Sequence, residues 1–213
     1  MIMMKKIVVL LILILGFSLL QAQQPGYYGV SVGGSYAVPV SDLGDLYKPA
    51  FNLKVGAGMV LENNWYLEGQ IDASRFNNTK LEGYAGDNVS MSLEYAGIMF
   101  VGNKPLAKLG AVNLNVIIGA GPFYWKNIRS EIARNDSLGI PFIPKKTLEE
   151  WNMAFQGGAG IQYFVTPSIA FELSGAYRIL VGSLWPVMQE HIMIEQVNGF
   201  QVLHINAKLR YYF

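Results

Sequence analysis

The C-terminal stretch 203–213 reads Leu203-His204-Ile205-Asn206-Ala207-Lys208-Leu209-Arg210-Tyr211-Tyr212-Phe213. Leu203, Ile205, Ala207, Leu209, Tyr211 and Phe213 fall on one face of an extended chain, and His204, Asn206, Lys208 and Arg210 on the other. A period of two over this length is the pattern of a β-strand whose faces meet different surroundings.

The same alternation recurs seven more times upstream, near residues 28–38, 51–61, 65–74, 91–101, 112–120, 152–163 and 169–179. Each segment holds about 10 residues, the length a tilted strand needs to cross a bilayer. A soluble sandwich also alternates, but its outer face carries many charges. Here the polar faces hold mostly Gly, Ser, Ala, Asn and Gln. The connections also alternate. Residues 62–64 and 166–167 are short, whereas 39–50, 76–90, 126–150 and 182–198 are long and 102–110 is intermediate. Together these features predict an all-β fold, an antiparallel up-and-down transmembrane β-barrel of about eight strands with short periplasmic turns and long extracellular loops.

Proline cannot donate a ladder hydrogen bond. Pro25, Pro39, Pro49, Pro105, Pro141, Pro144, Pro167 and Pro186 fall outside the expected strands. Pro122 requires a strand end or bulge, so the fifth strand is expected to end near Ala120. Aromatic rings belong at headgroup depth. Tyr27, Tyr28, Trp65, Tyr66, Tyr163, Tyr211, Tyr212 and Phe213 would mark the lower interface. Tyr36, Phe51, Phe76, Tyr124, Trp125, Trp151 and Tyr177 would mark the upper one.

Composition narrows function by exclusion. The 213 residues include 16 Lys and Arg, 15 Asp and Glu, and no Cys. A net charge of +1 offers no basic stripe for nucleic acid, and the missing Cys excludes disulfide, Cys-metal and thiol redox chemistry. Aromatics at 13% and charge at 15% exclude a disordered chain. At the N-terminus, Lys5 and Lys6 precede an apolar run from Ile7 to Leu20 and then Gln21-Ala22-Gln23-Gln24. The run is too short for a membrane-spanning helix and fits a signal peptide cleaved after Ala22 or Gln23. The expected organisation is a cleaved signal over 1–22 and a barrel over 23–213, exported to the outer membrane of a Gram-negative bacterium.

The terminal Phe213, with Tyr211 and Leu209 at alternate positions before it, resembles the assembly signal of outer-membrane proteins. Gln21-Ala22-Gln23-Gln24 is similar to the end of Bacteroidetes signal peptides. Gly119-Ala120-Gly121-Pro122-Phe123 and Gly157-Gly158-Ala159-Gly160-Ile161-Gln162-Tyr163 resemble glycine-rich strands of small outer-membrane β-barrels, the PorT-like and OmpA/OmpX-like family. The resemblance spans the mature chain and carries no catalytic signature. It implies that the barrel-assembly machinery reads the C-terminus, and that outer-membrane lipid and lipopolysaccharide surround the barrel. Some members of the family assist secretion and some are adhesins.

About eight strands leave an interior that side chains fill. The expected lumen charges are Lys54, Glu68, Asp72, Glu94, Glu172, Arg178, Lys208 and Arg210, with His204 on the same face. Four acids and four bases can pair off completely. Setting Leu61 opposite Trp65 puts Lys54 beside Asp72. Level strand ends put Asp72 near Glu94, Glu172 near Lys208, and Arg178 nearer His204. Charges away from water need partners, so a structural network is favoured over a proton-linked or ligand site. His204 could serve a hydrolase only with a nucleophile such as Ser174, and Glu190 with His191 makes a weak metal pair. No Gly-Lys-Ser/Thr follows the glycines. No catalytic residue, cofactor or metal is therefore expected.

The loops are the natural binding surface. Residues 126–151 carry charges of both signs, and their basic side chains could meet lipopolysaccharide phosphates. Residues 184–197 are unusually apolar for a loop and suit extended strands, a lid or a partner surface. The leading expectation is a non-enzymatic structural or interaction protein, accessory to a secretion or envelope complex and engaging an envelope protein through its loops. A small passive pore or hydrophobic-ligand conduit is the alternative, and a lipid-modifying enzyme a third reading.

Overall fold

The computed structural model describes residues 28–77, 90–131, 142, 144–181 and 200–213. The expected signal segment, Glu190, His191 and the apolar stretch 184–197 lie outside the described residues. Eight antiparallel strands close into one barrel in sequence order. They are β1 (Tyr28–Pro39), β2 (Ala50–Val60), β3 (Tyr66–Asn77), β4 (Met91–Leu109), β5 (Val112–Arg129), β6 (Lys146–Thr166), β7 (Ile169–Val181) and β8 (Phe200–Tyr212), with a short helix α1 (Asp42–Leu46) after β1. The circle closes where β1 pairs with β8, from Gly29↔Tyr212 to Pro39↔Val202.

Tight turns at one end set the register. Asn64 takes φ 62° between β2 and β3, and Gly110 takes φ 63° between β4 and β5. Leu61 N donates to Trp65 O at 2.7 Å, and this fixes Lys54↔Asp72 as the alternation predicts. Thr166 Oγ1 accepts the Ile169 amide at 3.0 Å in the β6–β7 turn; in the β7–β8 pairing Glu172 lies opposite Lys208, and the Tyr212 amide donates to Ser168 O at 2.8 Å. Both chain termini of the barrel lie at this short-turn end.

Three strands exceed the expected lengths. β4 has 19 residues, β5 18 and β6 21. The intermediate connection 102–110 is therefore mostly strand, and β5 continues nine residues past Ala120. Pro105 lies inside β4, beside a register shift between Pro105 and Ala107, and Pro39 closes β1. Pro122 lies within β5, where the β4–β5 pairing is interrupted between Gly97↔Phe123 and Phe100↔Ala120 without a change of register. Its other side stays in the ladder as Pro122↔Met153. A strand tolerates proline where one side gives up pairing.

The interior has two chemical halves. On β4, β5 and their neighbours at the long-loop end it is apolar: Phe76, Leu93, Tyr95, Phe123, Trp125, Leu180 and Phe200 form a buried cluster. Tyr47, just after α1, folds over the mouth into this cluster, and its hydroxyl donates to Asn127 Oδ1 at 3.0 Å. Burial pushes that hydroxyl above the ordinary phenol range, which the bond to Asn127 partly opposes. Facing β1–β3, β7 and β8, the lumen is polar and charged.

This arrangement corrects the faces expected for β4. Met91, Leu93, Tyr95, Met99 and Val101 point into the barrel, while Ile98 and Phe100 face outward. Glu94 therefore leaves the lumen. It opposes Arg75 in the β3–β4 pairing, and Arg75 Nε lies 3.4 Å from its carboxylate with the two side chains 65% and 40% exposed. The cause is the long-loop end itself, where the outer face of a strand is wet and the inside holds an apolar plug, so polarity no longer reports the lumen.

The aromatic girdles are also thinner than expected. Tyr28, Tyr163 and Phe213 at one end, and Tyr36, Phe51, Trp151 and Tyr177 at the other, are exposed on the outer face. Tyr66, Tyr212, Phe76 and Trp125 instead point inward and are buried. Tyr27 lies outside the described residues.

Candidate functional site

The charged lumen divides into two clusters on alternate inward positions of β2, β3, β7 and β8. In the cluster nearer the short turns, Glu68 of β3 meets Arg210 at 2.9 Å and Lys208 at 3.6 Å, both from β8. Glu172 of β7 meets the same two cations at 3.1 and 3.5 Å. Ser31 donates to Glu68. The Arg210 guanidinium also lies 4.2 Å from the Tyr66 ring centre.

Two glycines make this packing possible. A Cβ on Gly33 would lie 2.7 Å from Lys208 Cγ, and one on Gly56 would lie 3.0 Å from Glu68 Cδ. The small residues on the polar face thus mark where long charged side chains cross.

In the second cluster, Arg178 Nη2 of β7 donates to Asp72 Oδ2 at 2.7 Å and to Gln156 Oε1 at 3.0 Å. Lys54 Nζ lies 3.4 Å from Asp72 Oδ2 and donates to Asn206 Oδ1 at 2.7 Å. Asn52 Nδ2 donates to Asp72 Oδ1 at 2.7 Å. Arg178 also stacks 4.9 Å from the Phe123 ring centre, where the apolar and charged halves meet.

Eight of the nine expected lumen residues are therefore buried inside the barrel: Lys54, Glu68, Asp72, Glu172, Arg178, His204, Lys208 and Arg210. Glu94 is the exception. Three acids face four bases, so the expected complete pairing of four with four does not form. Asp72 alone serves both Lys54 and Arg178. Arg178 pairs in the ladder with Val202, whereas Ala176 is opposite His204. Arg178 reaches across the lumen to β3.

His204 meets Ser35 Oγ at 2.9 Å through Nδ1 and Tyr95 Oη at 3.4 Å through Nε2. The serine beside it is thus Ser35, whereas Ser174 lies among Asn206 and Glu172. Ser35 also donates to Asn52. Ser35 and His204 are both buried, and the arrangement satisfies a buried imidazole. Among the described residues, no group of three or more His, Asp or Glu side chains could hold a metal ion.

Sequence reasoning missed a second feature at the short-turn mouth. A cavity of about 330 Å³ lies between Tyr66, Asn103, Asn115, Gln162, Tyr212 and Arg210. Asn103 sits in the segment first read as a connection, so its inward position became visible only with the full length of β4.

At the C-terminus, Phe213 N donates to Tyr28 O at 2.9 Å, and Tyr28 N donates to Phe213 O at 3.3 Å. The Phe213 ring stacks 6.4 Å from Tyr28 and 6.2 Å from Tyr211. Leu209 and Tyr211 continue the outward face of β8. The three residues of the expected assembly signal thus lie beside the closing seam.

Comparison with known proteins agrees with the architecture. Neisserial surface protein A (NspA) superposes with a TM-score of 0.52 at 16% identity, over 87% of this chain and 97% of that one. A major outer membrane protein of Thermus thermophilus superposes with a TM-score of 0.53 at 12% identity, over 87% and 99%. At these identities the likeness shows the fold. No curated protein matches the chain. The profile of the outer membrane protein beta-barrel domain matches residues 7–190. A match of that extent, on a closed eight-stranded barrel with an apolar outer belt, makes this chain a member of the outer membrane protein beta-barrel domain family.

Proposed function

We infer that this chain is a closed, non-enzymatic outer-membrane barrel whose lumen is a structural core and whose partners engage its long loops. The observation that carries this reading is the pair of cross-lumen struts, Asp72 to Arg178 and Glu68 to Arg210. Each joins β3 to a strand on the far side of the circle. The apolar cluster around Trp125 and Phe200 fills the long-loop end above them. A narrow barrel filled this way has no continuous water path.

The short turns are assigned to the periplasm and the long loops to the outside, as in barrels of this architecture. The PorT-like, Bacteroidetes character suggested by the glycine-rich strands and the signal segment belongs to this proposal. So do a signal cleaved near Ala22, recognition of Phe213 by the assembly machinery, contact with lipopolysaccharide, and an accessory role in a secretion or envelope complex.

The test is conductance of the purified barrel in a planar bilayer. No steady open channel is expected, and stable ohmic conductance would move the passive-pore reading ahead. Crosslinking from the loops in intact cells, followed by copurification, should capture an envelope protein.

A further inference from the structure

We propose that the outer face of β4 and β5 holds one anionic phospholipid of the leaflet at the short-turn end. The inference goes beyond the closed-barrel reading and needs only the bilayer around the belt. Gly102 and Ala120 face outward and form the floor of an open groove of about 520 Å³. In the ladder, Gly102 lies between Leu67 of β3 and Ile118 of β5, and Ala120 lies between Phe100 of β4 and Phe155 of β6. These four large side chains are the walls, and Phe100 and Phe155 stand 64% and 50% exposed above the floor. Trp65 closes the lower end, since a Cβ on Gly102 would lie 2.9 Å from its ring.

A cation stands at that lower end. Lys104 follows Gly102 on the outward side of β4, half-buried, with its ammonium 5.4 Å from the centre of the Trp65 ring. The ion pairs on the outer faces of the described strands lie at the long-loop end, Arg75 with Glu94 and Lys126 with Glu149. Among the described residues, Lys104 has no carboxylate within ion-pair distance. Lys108 lines the barrel mouth and adds positive charge at the same end. Glu62, in the turn before Trp65, forms no ion pair with either lysine. Trp marks headgroup depth, and a cation there is drawn to anionic lipid. A phosphate at Lys104 sets its acyl chain at the foot of the groove, over Gly102 and then Ala120. A zwitterionic headgroup would bring its own ammonium beside Lys104, so net negative charge is favoured. The backbones carrying Leu67 and Ile118 are two strand spacings apart, about 10 Å. The space between their side chains takes an acyl chain but not a helix, which is itself about 10 Å across. A chain seated there gains dispersion contacts on three sides, which the convex belt elsewhere does not offer.

The test uses the full mature barrel in mild detergent, offered equal amounts of phosphatidylglycerol and phosphatidylcholine with identical chains. Native mass spectrometry reads the lipid retained. One bound phosphatidylglycerol is expected, preferred about fivefold, the factor that one Lys near a membrane surface contributes. Lys104→Gln should bring the two lipids to equal retention. Ala120→Leu fills the floor and should lower retention of both. Ala207→Leu, at an exposed outward position on β8, should leave both as in the wild type. A phosphatidylglycerol with a photoactivatable chain should label β4 and β5 around Gly102 and Ala120. Any of five results would overturn the proposal: no retained lipid; equal retention of both lipids by the wild type; an unchanged preference in Lys104→Gln; equal effects of Ala120→Leu and Ala207→Leu; or labelling spread evenly round the belt. Should a variant fail to assemble, the wild-type ratio and labelling decide the matter on the same criteria.

Discussion

Arg178 crosses the barrel to Asp72 at 2.7 Å, and Lys54 approaches the same carboxylate oxygen at 3.4 Å. One acid thus holds two buried cations, and the three positions are not equivalent. Removing the acid strands both cations. Removing Lys54 leaves Asp72 with Arg178 and Asn52.

Asp72→Asn should therefore destabilise the barrel by about 3–5 kcal/mol, the usual consequence of breaking a buried pair. Lys54→Met should cost less than about 2 kcal/mol, because the remaining carboxylate keeps its charge-assisted bonds. Urea titrations of the folded protein in lipid vesicles give both values. Equal or reversed costs would show that Arg178 does not neutralise Asp72 on its own.

The outward placement of Glu94 is open to a chemical test because the chain has no Cys. In the folded barrel, Glu94→Cys should react with a membrane-impermeant thiol reagent, and Leu93→Cys should not. Both should react after unfolding. Glu94→Gln should change stability by less than about 1 kcal/mol, as for an exposed pair. Rapid labelling at position 93 would restore the face first expected for β4.

What the sequence made legible was the part governed by hydrocarbon. On β8, lipid outside and polar contacts inside enforce one period from Leu203 to Phe213; the short β2–β3 turn sets Lys54↔Asp72, and the level ends of β7 and β8 at the short-turn end set Glu172↔Lys208. Legibility fails at the long-loop end. There Glu94 is polar because water lies outside, and Leu93 is apolar because the plug lies inside. No short turn links β3 to β4 to settle the choice. Pro105 and Pro122 misled for a different reason. Pro105 sits beside a register shift and Pro122 at a short gap in the pairing with β4, so neither ends its strand, and Asn103 with its pocket was lost along with the residues beyond Val101.

The depth dependence of the outer face gives a further prediction. Ile118 is 52% exposed, about midway along the part of β5 that a bilayer would cover, while Leu114 is 38% exposed and near the short-turn interface. Ile118→Arg should cost about 2–4 kcal/mol and Leu114→Arg about 0–1 kcal/mol. Refolding titrations in vesicles would show the order. A larger cost at Leu114 would place the bilayer lower on the barrel than the turns imply.

Phe213 closes the circle by two separable means. Its main chain exchanges hydrogen bonds with Tyr28 at 2.9 and 3.3 Å, and its ring packs between Tyr28 and Tyr211 on the lipid face. Deleting Phe213 removes both, whereas Phe213→Ala removes only the ring. Phe213→Asp keeps the main chain but sets a carboxylate against the apolar seam. Assembly measured by heat-modifiable gel mobility of membrane fractions should fall slightly for Phe213→Ala and further for Phe213→Asp, with deletion at least as severe. Spontaneous refolding into vesicles separates seam stability from recognition during biogenesis. If Phe213→Ala refolds normally in vitro yet fails to assemble in cells, the ring is read by the assembly machinery. If both assays fall together, the ring acts through the β1–β8 seam itself. Wild-type yields of the deletion in both assays would remove Phe213 from either role.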